Sequence, residues 1–292
     1  MTSKRIFVLT VAMLLGQAGF ASAQGTSDRW LLHPDLQARR TASLDEPLSL
    51  GRSESARPQP VWTAEGLWQT RPAGLRGLSK LAAEATPAND PVWDPSSQAW
   101  FAFAYGALVR VEADGRLPVV LANLPGHDFD VRAGHGLVVC RDSAKDRIVL
   151  LKTGSAGQER VLLEGGGFYN PRFSPDGSQV LVSQLKNGGG HLWLVSTASG
   201  QARDLGEGYE PVWKPDGKQA LLLRVTDDGE RLTSSSLFLL DPATGAVRLL
   251  AAPRRHIVTR PALSPDGAWL AFVDSESQQV MVARLPEAGG AR

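Results

Sequence analysis

The chain has 292 residues, with 31 Lys and Arg against 30 Asp and Glu, 42% hydrophobic and 21% charged residues, 30 Gly, 19 Pro and one Cys. That is ample apolar material for a large core, which excludes a disordered tail, and the lone Cys140 excludes an intramolecular disulfide. The formal charge of +1, or −1 once Lys4 and Arg5 of a removable leader are discounted, supplies no field to gather nucleic acid or anionic lipid, so neither is an expected partner.

The chain opens as a secretory signal peptide does: Lys4 and Arg5, then the apolar run from Ile6 to Leu15, then Ala21-Ser22-Ala23 before Gln24. The run is shorter than the roughly 20 residues that span a bilayer, and nothing after Ala23 is long and apolar enough to do so. Cleavage after Ala23 would leave a soluble protein in the periplasm or outside the cell. Residues 1–23 are read as this leader, 24–45 as an extension holding a possible closing strand, and 46–292 as the folded body.

Self-comparison of the body shows Ser174-Pro175-Asp176-Gly177 recurring as Lys214-Pro215-Asp216-Gly217 and Ser264-Pro265-Asp266-Gly267, with steps of 40 and 50 residues. A worn copy stands 80 residues upstream, at Trp93-Asp94-Pro95-Ser96, and the midpoint falls in the turn-like Ala133-Gly134-His135-Gly136. Proline presets φ in such a turn, aspartate bonds back to the backbone, and glycine accepts positive φ at the exit. Each turn therefore joins two strands of a hairpin.

The unit from Asn170 reads as Pro171-Arg172-Phe173, the turn, Gln179–Ser183, His191–Ser196 and a strand around Ala202 to Leu205, a four-stranded antiparallel meander. The next repeats this with Pro211-Val212-Trp213, Gln219 to Arg224, Leu237 to Asp241 and Val247 to Leu250. Earlier units run from Asp90 to Leu124 and from Gly126 to Glu164, and an eroded one lies upstream, where Gly66 to Gly74 resembles the third strand and turn at His191 to Gly200. One such sheet cannot bury both faces, but several packed around an axis can. The expectation is an all-β, six-bladed β-propeller with blades at about 46–86, 89–124, 126–165, 168–206, 208–251 and 258–288. Trp93, Phe173, Trp213 and Leu263 share one slot, where large side chains fill the wedge between blades.

The last unit runs from Arg260 through Trp269 to Val273 and Val280 to Arg284 and lacks a fourth strand, so an N-terminal strand should close this blade. Arg29–Leu32 is slightly preferred over Pro47–Leu50.

Pro-x-aromatic-x-Pro-Asp-Gly followed by an apolar strand resembles the repeats of TolB-like proteins, relatives of WD-repeat propellers, from Asp90 to Pro286. The resemblance implies an exported scaffold that binds an outer-membrane lipoprotein at the propeller face. Only about 65 residues separate Ala23 from Asp90, too few for the N-terminal α/β domain of TolB itself plus an eroded blade. Similar repeats occur in oligogalacturonate lyases and in relatives of prolyl oligopeptidase.

The residue before each first strand is polar: Asp90, Asp130, Asn170 and Glu210 at a spacing of 40, then Arg260. These positions are expected at one mouth of the channel, where four oxygen-bearing side chains would suit calcium or a basic group of a partner. The alternative is local: a polar residue before proline is extended and satisfies nearby backbone, and Arg260 would compete with a cation. His127, Asp128, Phe129, Tyr169 and Tyr209 belong to the same face, alongside Thr259. No Gly-x-Ser-x-Gly, phosphate loop or His-Glu-x-x-His occurs, Ser183-Gln184-Leu185-Lys186 lies at a strand end, His135 is assigned to a turn and Cys140 to a buried strand. The expected function is a non-enzymatic, monomeric scaffold without catalytic residues or a cofactor, binding an envelope protein or lipoprotein at the mouth. The alternative is a metal-assisted carbohydrate enzyme resembling oligogalacturonate lyases.

Overall fold

A computed structural model describes residues 42–52, 59–63, 66–70, 92–104, 106–111, 119–126, 128–153, 159–186 and 189–286. The leader and Arg29–Leu32 lie outside them. The strands are β1 (Leu48–Arg52), β2 (Gln59–Thr63) and β3 (Gly66–Thr70), followed by four runs of four. Blade I holds β4 (Val92–Asp94), β5 (Ala99–Ala104), β6 (Ala107–Val111) and β7 (Val119–Asn123). Blade II holds β8 (Phe129–Arg132), β9 (Leu137–Asp142), β10 (Arg147–Lys152) and β11 (Glu159–Glu164), and blade III holds β12 (Phe168–Phe173), β13 (Gln179–Lys186), β14 (Gly189–Ser196) and β15 (Ala202–Glu207). Blade IV is β16 (Tyr209–Trp213), β17 (Ala220–Asp227), β18 (Leu232–Leu240) and β19 (Val247–Ala251). Blade V is β20 (Val258–Leu263), β21 (Trp269–Asp274) and β22 (Gln279–Arg284), completed by β1.

The described residues thus form a five-bladed propeller of four-stranded antiparallel blades, with β2 and β3 as a two-stranded ribbon. The all-β class holds, and the expected count of six blades is wrong. Two assignments caused the error. Leu48–Arg52, counted in a first blade spanning 46–86 although Pro47–Leu50 is also the second candidate for the closing strand, does close the last blade, pairing with β22 through Leu48↔Val282 and Ser49↔Met281. Gly66–Thr70, read as a third strand, pairs directly with Gln59–Thr63, from Gln59↔Thr70 to Thr63↔Gly66. The inner strand β2 lies beside β20 and β4, and from β4 the inner strands follow one another through β8, β12 and β16 back to β20.

The middle strands are buried on both faces, as their apolar runs require. In blade II, Val138, Cys140 and Val149 pack with Phe101, Leu108 and Phe129, while Val139, Ile148 and Leu150 pack with Phe168, Phe173, Val180 and Val182 of blade III. Each interface between blades is therefore a strip of core. The Pro-Asp-Gly turns hold one face together: Gly177, Gly217 and Gly267 each donate to the carbonyl three residues back, at 2.9, 2.9 and 2.8 Å, with φ of 72°, 69° and 69°. A Cβ on Gly217 would lie 3.5 Å from Pro175 Cδ, and one on Gly267 3.3 Å from Pro215 Cδ, so these two glycines sit against the proline of the preceding turn, whereas Gly177 faces Leu137 and Arg132 of blade II. The 50-residue step arises where the β17–β18 hairpin lengthens around Asp228–Arg231 and where 252–257 links blades IV and V.

The closing segment is anchored as well as paired. Arg284 N donates to Ala42 O at 2.9 Å, and Leu44, 6% exposed, joins Leu270, Phe272 and Met281 in the core. Replacing Leu44 by Ala is expected to cost about 2–4 kcal/mol in urea unfolding. Removing residues 1–52 should depress the melting transition further, because β22 then loses its partner. A chain lacking 1–52 that melts like the whole protein would contradict this closure.

Candidate functional site

Proline within an inner strand, at 171, 211 and 261, fixes the geometry of the channel wall. In blades III, IV and V the residue before it is left-handed: Asn170 at φ 51°, Glu210 at 45° and Arg260 at 50°. The expectation of extended backbone there is wrong. Proline supplies no N–H to the ladder, so the strand bulges, and the pairing shifts between Tyr169 and Arg172, Tyr209 and Val212, and Thr259 and Ala262. In blades III and V the N–H of the bulged residue turns to a carboxylate of the preceding blade. Asn170 N donates to Asp128 Oδ2 at 2.6 Å, and Arg260 N donates to Glu210 Oε2.

Blade II departs from this pattern. Asp130 precedes Val131 rather than proline, and β8 pairs regularly from Phe129↔Cys140 to Arg132↔Leu137. Its carboxylate is buried, accepts from Val131 N and from Phe173 N of blade III at 2.8 Å each, and pairs with Arg132 at 3.3 Å. Arg132 also reaches across to Phe173 O and Ser174 O at 2.8 and 3.1 Å.

The inner strands enclose a cavity of about 950 Å³. Of the predicted residues, Asp128, Phe129, Asp130 and Tyr169 line it. Asn170, Glu210 and Arg260 sit in the bulges and are not on its wall, while Tyr209 covers Gly190, where a Cβ would fall 2.4 Å from the tyrosine ring. Asp90 and His127 lie outside the described residues. The expected ring of equivalent oxygens is therefore not how the residues are used: Asp128, Asp130 and Glu210 each bind backbone N–H of a neighbouring blade. Among the described residues no group of three or more His, Cys, Asp and Glu is placed to hold a metal ion.

Electrostatics follow burial. Burial pushes the Glu210 carboxyl above its ordinary value of 4.5, against the opposing pull of the Arg260 N–H and the charges of Arg260 and Arg172. Burial also raises the Tyr169 hydroxyl, with Tyr209, Glu210 and Asp128 adding to it. Cys140 is fully buried and its thiol is pushed up to about 12, mainly by desolvation, so it is not a nucleophile at neutral pH. Ser183 is a buried strand residue and His135 ends a 3-10 turn, Ala133–His135.

Sequence reasoning missed three arginines on the wall, Arg132, Arg141 and Arg172, and the strand β2. The tripeptide Pro-Val-Trp at 60–62, 91–93 and 211–213 was the signal for β2. Trp62 Nε1 donates to Ala262 O at 3.0 Å just as Trp213 Nε1 donates to Arg172 O at 3.1 Å, each clipping its strand to the preceding inner strand. The signal for Arg172 was its place directly after proline and before a large apolar residue, taken by Val61, Val92, Val212 and Ala262 elsewhere.

Two outcomes test the latches. Asp128→Ala should lower stability by about 2 kcal/mol, since the left-handed Asn170 N–H loses a charged acceptor. Glu210 holds its proton more tightly in the folded chain than in the unfolded one, so its contribution is complete below pH 4.5 and is lost as pH rises through the folded value. Glu210→Gln should flatten that part of the stability profile, and a slope unchanged from the wild type would refute the assignment.

No family model and no curated protein matches the sequence. Among solved structures, the putative TolB from Agrobacterium tumefaciens is similar at 19% identity and a TM-score of 0.51, over 64% of this chain and 69% of that one. A nidogen/laminin complex is similar at 16% identity and 0.50, over 67% and 74%. An oligogalacturonate lyase in complex with manganese is similar at 14% identity and 0.47, over 77% and 81%. Among the described residues no helix is long and apolar enough to cross a membrane. With its latched inner strands and recurrent Pro-Asp-Gly turns, the chain has a TolB-like β-propeller fold.

Proposed function

We propose that this chain is an exported, non-enzymatic propeller scaffold that binds an envelope protein or lipoprotein at the channel mouth beside Asp128, Phe129 and Tyr169, with Tyr209 and the bulges of Asn170, Glu210 and Arg260 around it. One observation carries the reading: the mouth carboxylates are committed to inter-blade N–H groups, Asp128 to Asn170, Asp130 to Phe173 and Glu210 to Arg260. Such groups build a rigid rim rather than a set of free ligands for a catalytic ion. A rigid rim around an aromatic-lined cavity suits docking, because little ordering is required on binding. The resemblance of the repeats to TolB-like proteins supports the same reading, and the leader up to Ala23 supports release into the periplasm or beyond.

Photo-crosslinking groups at Tyr169 and Tyr209 should capture a discrete envelope component, while the same group at Ser178 or Lys218 on the turn face should not. Amino-terminal analysis of the exported protein should begin at Gln24. Calorimetry with calcium and manganese decides against the scaffold if an ion binds tightly and Asp130→Ala and Glu210→Ala abolish it. That result would favour a metal-assisted carbohydrate enzyme.

A further inference from the structure

At the equivalent wall positions of the described inner strands, Val61, Val92, Val212 and Ala262 present small apolar groups, whereas blades II and III carry Arg132, which is paired with Asp130, and Arg172, which is not paired with a carboxylate. Its Nη1 donates to Pro171 O at 3.1 Å and to Phe129 O of blade II at 3.4 Å, which places the guanidinium at the junction of blades II and III. Arg141 flanks the same segment from the other side: its N–H donates to Asp128 O at 2.8 Å, and it too lines the cavity. Its Nε is buried and has no hydrogen-bond partner among the described residues. A guanidinium nitrogen withdrawn from water without an acceptor is unfavourable unless something else provides one.

The charges on the wall do not cancel. The described lining residues include Arg132, Arg141 and Arg172 against Asp128 and Asp130. Asp130 is paired with Arg132, and Asp128 receives Asn170 N–H, whereas neither Arg141 nor Arg172 forms a contact ion pair among the described residues, Arg172 acting on the Glu210 carboxyl only at longer range. Around them stand Tyr169, Phe129 and Trp213, which offer apolar surface to whatever carries an anion.

We propose that Arg141 and Arg172 form a carboxylate-binding site inside the channel, and that the acidic side chain of a protein partner is its occupant. Planar, forked guanidinium groups match a carboxylate in geometry as well as charge. The choice of a protein side chain rests on the scaffold reading. The site itself does not.

The test is an NMR titration at low ionic strength with N-acetyl-aspartate methylamide and its asparagine analogue, and with glucuronate and glucose. The carboxylates should give saturable shifts that the neutral analogues do not. Arg172→Met should weaken binding about tenfold or more, and Arg172→Lys, which keeps the charge without the fork, by less. Arg141→Met separates function from folding: it should lose binding with its melting temperature unchanged or raised, because the side chain with the unpartnered nitrogen is removed. Equal binding of neutral and charged probes, or full affinity in both methionine variants, overturns the site. If the mouth captures a partner while no carboxylate binds, this inference falls and the scaffold stands. If glucuronate and the aspartyl probe bind through both arginines while the mouth captures nothing, the scaffold falls and the carboxylate site stands with a free acid as its ligand.

Discussion

A backbone N–H that its own sheet cannot use governs how the blades meet. Proline at 171, 211 and 261 forces the preceding residue out of the ladder, and the left-handed conformation there costs on the order of 1–3 kcal/mol. A hydrogen bond from that N–H to a carboxylate returns a similar amount, about 1.5–3 kcal/mol. The balance is close to neutral, but its two parts belong to different blades. Asn170 is relieved only when blade II presents Asp128, and Arg260 only when blade IV presents Glu210. The bulge conformation is thus conditional on the neighbour, which makes the ring cooperative rather than a row of independent sheets. The core strips between blades and the proline–glycine contacts on the turn face act in the same sense.

Much of the frame was legible because its chemistry recurs. Pro-Asp-Gly marked the turn face, the apolar runs marked the doubly buried strands, and Trp213 and Phe173 marked the wedges. The blade count failed because spacing locates turns, whereas membership of a sheet depends on pairing. Leu48–Arg52 overlaps both the first expected blade and the second closing candidate, Pro47–Leu50, and its pairing with the edge of β22 assigns it to blade V. Pro47–Leu50 stands second to Arg29–Leu32 as the closing strand, because pairing register is not written in either segment alone. The candidate ring failed differently: a spacing of 40 aligned Asp130 with Asn170, Glu210 and Arg260, but Val131 in place of proline gives a regular strand and a different use for the carboxylate. Those residues were identified as polar positions near the mouth, and their direction of bonding, toward the next blade, could not be read from one strand at a time.

The departures from the repeat are concentrated at one junction. Blade II has no proline after Asp130 and replaces the Pro-Asp-Gly turn by the 3-10 turn Ala133–His135. It sets Ala133 in the slot that Trp93, Phe173 and Trp213 fill elsewhere, and the preceding Arg132 turns toward blade III with its guanidinium 5.8 Å from the Phe173 ring. Blade III carries Arg172 at the position that Arg132 holds in blade II, where the other described inner strands carry valine or alanine. Selection for stability alone would favour the repeated solution, since a large apolar wedge and a small wall residue already satisfy the interfaces at Trp93, Trp213 and Leu263. Arg132 is accounted for by Asp130 and the two carbonyls of blade III that it binds, so it belongs to the frame. Arg141 and Arg172 have no such full account within the described residues, and their place beside Asp128 and Tyr169 puts the unbalanced charge where the cavity is lined by aromatic rings. In a fold built from copies, the frame lies in what is repeated, and the position of a binding site follows from the departures that packing does not explain.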